Sequence, residues 1–373
     1  MNKVLVIGNA KSIWIKEYIF NIHHYLGNDV YLTSYGSLGK EDKSFYSSIG
    51  VNIISFVGNS KWTRMFSIIF QLLNFSIANR GRINIVDIQS PPRSMQSKLI
   101  AIIIVILGGK VITTFWGSDI FYANKKDATR MKWILDRSRW INASTQSMRE
   151  KIQLLYGDVY KDKCACAEFG SPAFEAIKAC TLSKNECKKS FGLNENKVAI
   201  AVGYNGRKEQ QHIKVLEQLS KLEDNQKDKI ELIIHIGYSI STEYRQELVE
   251  ALKISGIEHI IIDEMLNLES IAQLRISTDV FIHAQVSDAL SGSIRESIYS
   301  GAILINPNWL KYDKFDDDRV DYIKYSEFSE IPTIIENVLN GKVIVDKERN
   351  KEILYKEYSW DAVRAKWVRM FDE

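Results

Sequence analysis

The stretch Phe281-Ile282-His283-Ala284-Gln285-Val286-Ser287-Asp288-Ala289-Leu290-Ser291-Gly292-Ser293-Ile294-Arg295-Glu296-Ser297-Ile298-Tyr299-Ser300-Gly301-Ala302-Ile303-Leu304-Ile305 decides the fold. It reads as a strand ending at His283, itself a candidate ligand contact at the strand's carboxyl end, a polar loop, a helix stopped by Gly301, and a second strand. Two strands joined by a helix form a parallel crossover unit. The small residues Ser291, Gly292 and Ser293 stand where the helix begins. Free backbone N–H groups there, aided by the helix dipole, can hold a phosphate. Asp288 in the loop can accept hydrogen bonds from sugar hydroxyls, and Glu296, about one turn into the helix, can grip a ribose diol. An N-capped helix with an acidic start has the same pattern, so both readings stand at this point.

The same rhythm extends in both directions. After it restarts at Lys197–Gly203, strands are expected at Ile230–Ile236, Ile260–Asp263, Asp279–His283 and Ala302–Ile305. Helices are expected between them at His212–Leu222, Glu243–Ser255, Leu268–Ile276 and Ile294–Ser300. Upstream, strands are expected at Val4–Ile7, Asp29–Ser34, Val51–Phe56, Ile83–Ile88, Lys110–Phe115 and Ile141–Ser144. Their helices fall at Ser12–Tyr25, within Ser90–Leu107, at Lys125–Arg139 and from about Ser147. Such alternation implies an α/β protein of two doubly wound parallel sheets. The junction is expected in the irregular stretch 165–196, giving domains over 1–175 and 176–355 and a terminal segment over 356–373. Sheets of this kind bind ligands outside the carboxyl ends of their strands.

A chain of 373 residues suits two such domains, and 45% hydrophobic with 25% charged residues is the balance of a folded protein. The net charge of +3 conceals an asymmetry: residues 1–175 carry 22 Lys/Arg against 13 Asp/Glu, and the remainder 27 against 33. A basic first half suggests an anionic partner, a phosphate-bearing acceptor or a membrane surface. No secretory signal opens the chain. The longest apolar run, Leu99–Leu107, is about half the ~20 residues of a membrane-spanning helix and reads as buried core. The segment Met65–Ala78 is amphipathic, a core-facing helix with the features of a surface-docking one. Cys164, Cys166, Cys180 and Cys187 match no zinc spacing and are expected to be free thiols. Nothing indicates a nucleic-acid partner, a metal site or a bound cofactor.

Four further segments carry candidate chemistry. In Val202-Gly203-Tyr204-Asn205-Gly206-Arg207-Lys208 a strand turns into a helix. Its glycines allow close backbone approach, Asn205 lies at the turn, and Arg207 or Lys208 can neutralise a departing diphosphate. Glu264 and Met265, after a strand, are candidates for a nucleobase pocket. Gly8 and Ser12 follow the opening strand at the sheet's ligand-binding end. In Thr114-Phe115-Trp116-Gly117-Ser118-Asp119 the strand ends so that Trp116, Gly117 and Asp119 project at that end, Trp116 to stack on a sugar and Asp119 as a general base or helix cap. Asp316-Asp317-Asp318 reads as a solvated acidic loop rather than a metal site.

The eight-residue offset from Asp288 to Glu296, carried through to Gly301, resembles the E-x7-E motif of GT-B glycosyltransferases, in particular the retaining GT4 group. The segment ending at Asp119 is similar to that group's H-G-x-D segment, with Trp116 in place of histidine. The turn at Gly203 also resembles fucosamine transferases of bacterial surface polysaccharide synthesis. The resemblance implies two Rossmann-like domains facing a cleft, the first for the acceptor and the second for a nucleotide sugar. The segment from Tyr358-Ser359-Trp360-Asp361 would be the terminal helix that packs back across the cleft. It further implies metal-independent transfer, with retention, of a hexosyl-type group to a saccharide acceptor carried on a polyprenyl diphosphate. Asp288 would contact the donor sugar, Glu296 the ribose, and Arg207 and Lys208 the diphosphate. The expected setting is the cytoplasmic face of the inner membrane, with peripheral contact to anionic lipid. A GT-B-shaped epimerase and a non-catalytic binding protein are the alternatives. Arg207→Ala and Glu296→Ala are both expected to abolish transfer without unfolding.

Overall fold

The structure, a computed structural model, describes residues 2–54 and 61–372, with backbone alone over 61–69. The chain forms two units, Met1–Gly170 with Trp360–Glu373, and Ser171–Ser359. In the first, strands β1 (Lys3–Gly8), β2 (Asp29–Ser34), β3 (Asn52–Ile53), β4 (Ile85–Gln89), β5 (Lys110–Thr114), β6 (Trp140–Asn142) and β7 (Cys164–Ala165) pair in parallel, in the order β3-β2-β1-β4-β5-β6-β7. Side chains alternate across the sheet, as the two-residue period of a strand requires. Val4 and Val6 pack under one layer with Ile15, Tyr18 and Tyr46, while Leu5 and Ile7 pack under the other with Leu72, Ile100 and Ile134.

The helix Trp360–Asp372 completes the first of these layers. Trp367 is fully buried, lies 4.6 Å from the Tyr18 ring and 5.4 Å from Phe169, and donates its indole N–H to the Glu168 carbonyl at 2.8 Å.

In the second unit, β8 (Val198–Val202), β9 (Ile230–His235), β10 (His259–Ile262), β11 (Val280–Ile282), β12 (Ile303–Pro307) and β13 (Ile323–Tyr325) are again parallel, in the order β10-β9-β8-β11-β12-β13. In each sheet the chain therefore winds one way for three strands, then returns to the middle and winds the other way. The reversal falls between β1 and β4, and between β8 and β11. Helices leave the carboxyl ends of these strands in opposite directions, so a crevice opens there.

Several expectations need correction. The first crossing between units lies at Gly170–Ser171 rather than at 175, because Ser171 and Phe174 bind inside the second unit, to Glu296 and to the Tyr299 ring. The last crossing lies at Ser359–Trp360 rather than at 355. The helix Lys347–Tyr358 packs on the second unit's core through Leu354 and Tyr358. The strand expected over Val51–Phe56 is confined to Asn52–Ile53, residues 55 and 56 lying outside the described residues. Strands β7 and β13 are two and three residues long, too short to show a period. Leu99–Leu107 is not wholly core: in the helix Gln96–Leu107, Ile102 and Val105 are 53% and 63% exposed. The four cysteines are free, and Asp316 and Asp318 pair with Lys324 and Lys314.

Trp367→Ala removes the largest fully buried side chain of the terminal helix. It is expected to destabilise the first unit by ~3–5 kcal/mol in urea unfolding, as large aromatic truncations in cores do.

Candidate functional site

In the second unit the parallel pairing of Val202 with Ile282 sets the turn after β8 beside the loop after β11. The two are knitted together. Val286 N–H donates to the Glu209 carbonyl at 2.9 Å, Gln211 Nε2 to the Ala284 carbonyl at 2.6 Å, and Gln210 Nε2 to Gln285 Oε1 at 2.9 Å. Gly203 takes φ +65°, and a Cβ there would lie 2.7 Å from His212 Nε2, so no other residue fits the turn without rearrangement.

Asp288 is the hub of the loop. Tyr204 Oη donates to Oδ1 at 3.0 Å, while Tyr312 Oη and the Ser291 backbone N–H donate to Oδ2, both at 2.8 Å. A carboxylate accepts about four hydrogen bonds, so three internal donors leave room for roughly one outside partner. Downstream, the helix Gly292–Tyr299 begins with N–H groups of Gly292 and Ser293 that have no intrahelical acceptor. Ser291 Oγ is buried with no hydrogen-bond partner among the described residues.

Arg207 and Lys208 stand exposed on the facing turn. Asn205, itself buried, accepts the Arg207 backbone N–H at 3.0 Å and so shapes the turn. Lys208 reaches Glu247 at 3.4 Å, whereas the Arg207 guanidinium has no ion-pair partner among the described residues. The cationic turn and the helix start thus both lie outside the carboxyl ends of the paired strands β8 and β11, and cations and first-turn N–H groups are the kinds of group that can hold a phosphate.

Two candidates sit differently from expectation. Glu296 is only 5% exposed, and both its oxygens are engaged, Oε1 by Ser171 Oγ at 2.9 Å and Oε2 by Arg275 Nε at 3.3 Å. Removing its carboxylate would strand a buried guanidinium. Glu296→Ala is therefore expected to cost ~3–5 kcal/mol in denaturant unfolding, contrary to the expectation that the chain would tolerate it. His283 is fully buried beneath the loop, with Nδ1 2.9 Å from Asn306 Oδ1 and rings of Tyr204 and Tyr312 about it, and burial lowers its pKa. It supports the loop and cannot touch a ligand in the crevice as the side chains stand. Glu264 and Met265 are exposed at the end of β10, packed against Gly237 after β9.

In the first unit, Gly8 lies at the end of β1 against Gln89, and Ser12 caps the helix Ile13–Tyr18 by accepting the Trp14 N–H at 3.3 Å. Asp119 turns back on its own loop. Its carboxylate accepts the N–H groups of Trp116 and Gly117 at 3.0 Å, a closure that needs Gly117 at φ +108°. Burial raises its pKa from 3.8 to about 6 against the opposing pull of these N–H bonds and of Ser90.

Behind this loop runs a buried polar chain that the sequence reading missed. Trp116 Nε1 donates to Gln89 Oε1 at 3.0 Å, and Gln89 Nε2 to Asp87 Oδ1 at 2.8 Å. Asp87 Oδ2 accepts from Tyr18 Oη at 2.7 Å and lies 3.3 Å from His23 Nε2. Asp87, Gln89 and His23 are all fully buried. The π-helical turn Ile19–His24 brings His23 under the sheet. A lone carboxylate in the apolar run Ile85-Val86-Asp87-Ile88 was the available signal, since buried charges are almost always paired. A cavity of about 590 Å³ lined by Lys110, Arg137, Arg139 and Lys163 lies at the amino ends of β5 and β6, away from the crevice.

No protein-family model matches the chain, and no curated protein matches its sequence. Solved structures do match in three dimensions. A glycosyltransferase from Rickettsia africae superposes with a TM-score of 0.79 at 15% identity, covering 100% of this chain and 98% of that one. Anabaena HepE in complex with UDP and glucose gives 0.77 at 12% identity, covering 100% of both. The lipopolysaccharide outer core galactosyltransferase WaaB gives 0.66 at 12%, covering 99% of both. These likenesses show the GT-B fold.

The shift of Asp119 has a sign. A carboxyl that binds its proton more tightly when folded costs stability as pH rises from about 4, and the cost is complete above about 6. Asp119→Asn removes the charge. In thermal unfolding from about pH 4 to about pH 7, the variant is expected to gain on the wild type as pH rises and then level off.

Proposed function

We propose that the chain is a glycosyltransferase that moves a sugar from a nucleoside diphosphate sugar to a hydroxyl of a saccharide acceptor. The observation that carries this reading is the meeting of the Arg207 turn with the Ser291–Ser293 helix start, outside the central strands β8 and β11. In the reaction the bond from the anomeric carbon to the diphosphate oxygen breaks as the acceptor oxygen bonds to that carbon. The electron pair leaves on the diphosphate, whose departing oxygen takes the proton that the acceptor hydroxyl loses. Arg207, Lys208 and the N–H groups of Gly292 and Ser293 stabilise that charge without a metal ion. Asp288 offers its remaining acceptor site to the donor sugar. Glu296, its oxygens held by Ser171 and Arg275, steadies the helix that carries these N–H groups, and Glu264 and Met265 border the base.

Uridine diphosphate is the first donor nucleotide to test, because HepE was solved with UDP and with UDP-glucose. The outcome at the anomeric carbon is retention. Asp119, the one carboxylate offered as a base for inversion, spends its oxygens on backbone N–H groups. The acceptor is a saccharide on a polyprenyl diphosphate, and the setting is bacterial surface polysaccharide assembly at the inner face of the cell membrane. The likeness to WaaB and the basic first half of the chain favour it. No helix among the described residues is long and apolar enough to cross a membrane, so contact with lipid would be peripheral.

Nucleotide sugars screened by thermal shift are expected to reveal the donor, since ligand at a hundred times its Kd adds ~2.7 kcal/mol. Arg207→Ala is expected to lower transfer of that donor's sugar roughly 10²-fold. Its melting temperature should stay at the wild-type value, because Arg207 is exposed. Undiminished transfer by this variant would remove the proposed site.

A further inference from the structure

Away from the crevice, the first unit carries a helical layer whose outward face is unlike the rest of its surface. The adjacent helices Lys61–Ala78 and Gln96–Leu107 cover one side of the sheet through Leu72, Ile100, Ile103 and Ile104. Their opposite faces present apolar side chains to solvent: Phe70 is 67% exposed, Ile77 65%, Ile102 53% and Val105 63%. Phe70 and Ile77 are seven residues apart and so share one helix face. Ile102 and Val105, three apart, share another.

The cations are placed with them. Gly81 N–H donates to the Leu107 carbonyl at 3.0 Å, which fixes the exposed Arg80 and Arg82 beside the helix ends bearing Ile77 and Val105. Lys98, one turn before Ile102, is exposed too and lies over the Trp133 ring at 5.2 Å. Carboxylates are missing from the sequence around them. From Lys43 to Ser118 there are eight Lys/Arg and one acidic residue, Asp87, whose side chain is fully buried.

We infer that this face docks on an anionic lipid surface, with Phe70, Ile77, Ile102 and Val105 entering the headgroup boundary and Arg80, Arg82 and Lys98 meeting lipid phosphates. Apolar area alone would suit a protein partner equally well. Its coincidence with exposed Arg80, Arg82 and Lys98, in a stretch of sequence whose one carboxylate is buried, selects a bilayer rich in acidic headgroups, where buried apolar area and charge attraction add. The inference deepens the reading of a membrane-borne acceptor by assigning the face that meets the membrane. It is tested without transfer, so either can fail alone.

The full chain is mixed with sedimentable vesicles of pure phosphatidylcholine, or of phosphatidylcholine with about a third phosphatidylglycerol, at low and high salt. Binding is expected only to the mixed vesicles and is expected to weaken with salt. Arg80→Ala with Arg82→Ala is expected to weaken it roughly thirtyfold. Ile102→Glu with Val105→Glu, at positions already exposed, is expected to abolish it with an unchanged melting temperature. Equal binding to both vesicle types, no binding to either, or wild-type binding by both variants would overturn the inference. So would self-association of the wild type that the glutamate variant loses, because the face would then belong to a second copy of the chain.

Discussion

The pairing of β8 with β11 is the constraint on which the second unit's chemistry depends. These strands are far apart in sequence and become neighbours only because the chain, after winding out to β10, returns to the middle of the sheet. That return joins the turn after β8 to the loop after β11 by hydrogen bonds, among them Val286 to Glu209, Gln211 to Ala284 and Tyr204 to Asp288. Neither segment is specific alone, since polar strand–helix turns and capped helices are common. Together they are tied to one another by hydrogen bonds of Gln210, Gln211, Gln285 and Asp288, and groups held by their neighbours lose little freedom on meeting a ligand.

Much of this was legible beforehand. The long strands Asp29–Ser34 and Ile230–His235 announce themselves through runs rich in β-branched and apolar residues, and the alternation with helices fixes a parallel sheet. Placement of the turn and loop at the carboxyl ends of their strands follows from that alternation alone. What could not be read was the direction of each carboxylate. Asp119 was open to a cap as well as a base, and its bonds to the Trp116 and Gly117 N–H groups are local. For Asp288 and Glu296 the partners Tyr204, Tyr312, Ser171 and Arg275 come from positions up to 125 residues away, and no local pattern records such meetings. The short strands β7 and β13 escaped for a simpler reason, having too few residues to express a period.

The two units treat buried charge differently. In the first, Asp87 is sunk in the sheet and serves as the anchor of a chain of hydrogen bonds that ends at the Trp116 indole. In the second, Glu296 and Arg275 neutralise each other near the crevice. Both arrangements carry a desolvation penalty that excellent geometry must offset, and replacing such groups by apolar ones often leaves a protein no less stable. Their common effect is orientation: Asp87 holds Gln89 and through it the Trp116 indole, and Arg275 holds Glu296.

The terminal helix has a further consequence. Residues 360–372 fill a core otherwise built from the first 170, so the second unit is in effect inserted within the first. Domains close as their sequences emerge during synthesis. Here the earlier-made sheet must wait, with Tyr18 and Phe169 lacking their Trp367 neighbour, while the later-made one already has every strand it needs. The core of the first unit therefore draws on residues translated after the whole of the second, so its last aromatic contacts can form only once both units have been made.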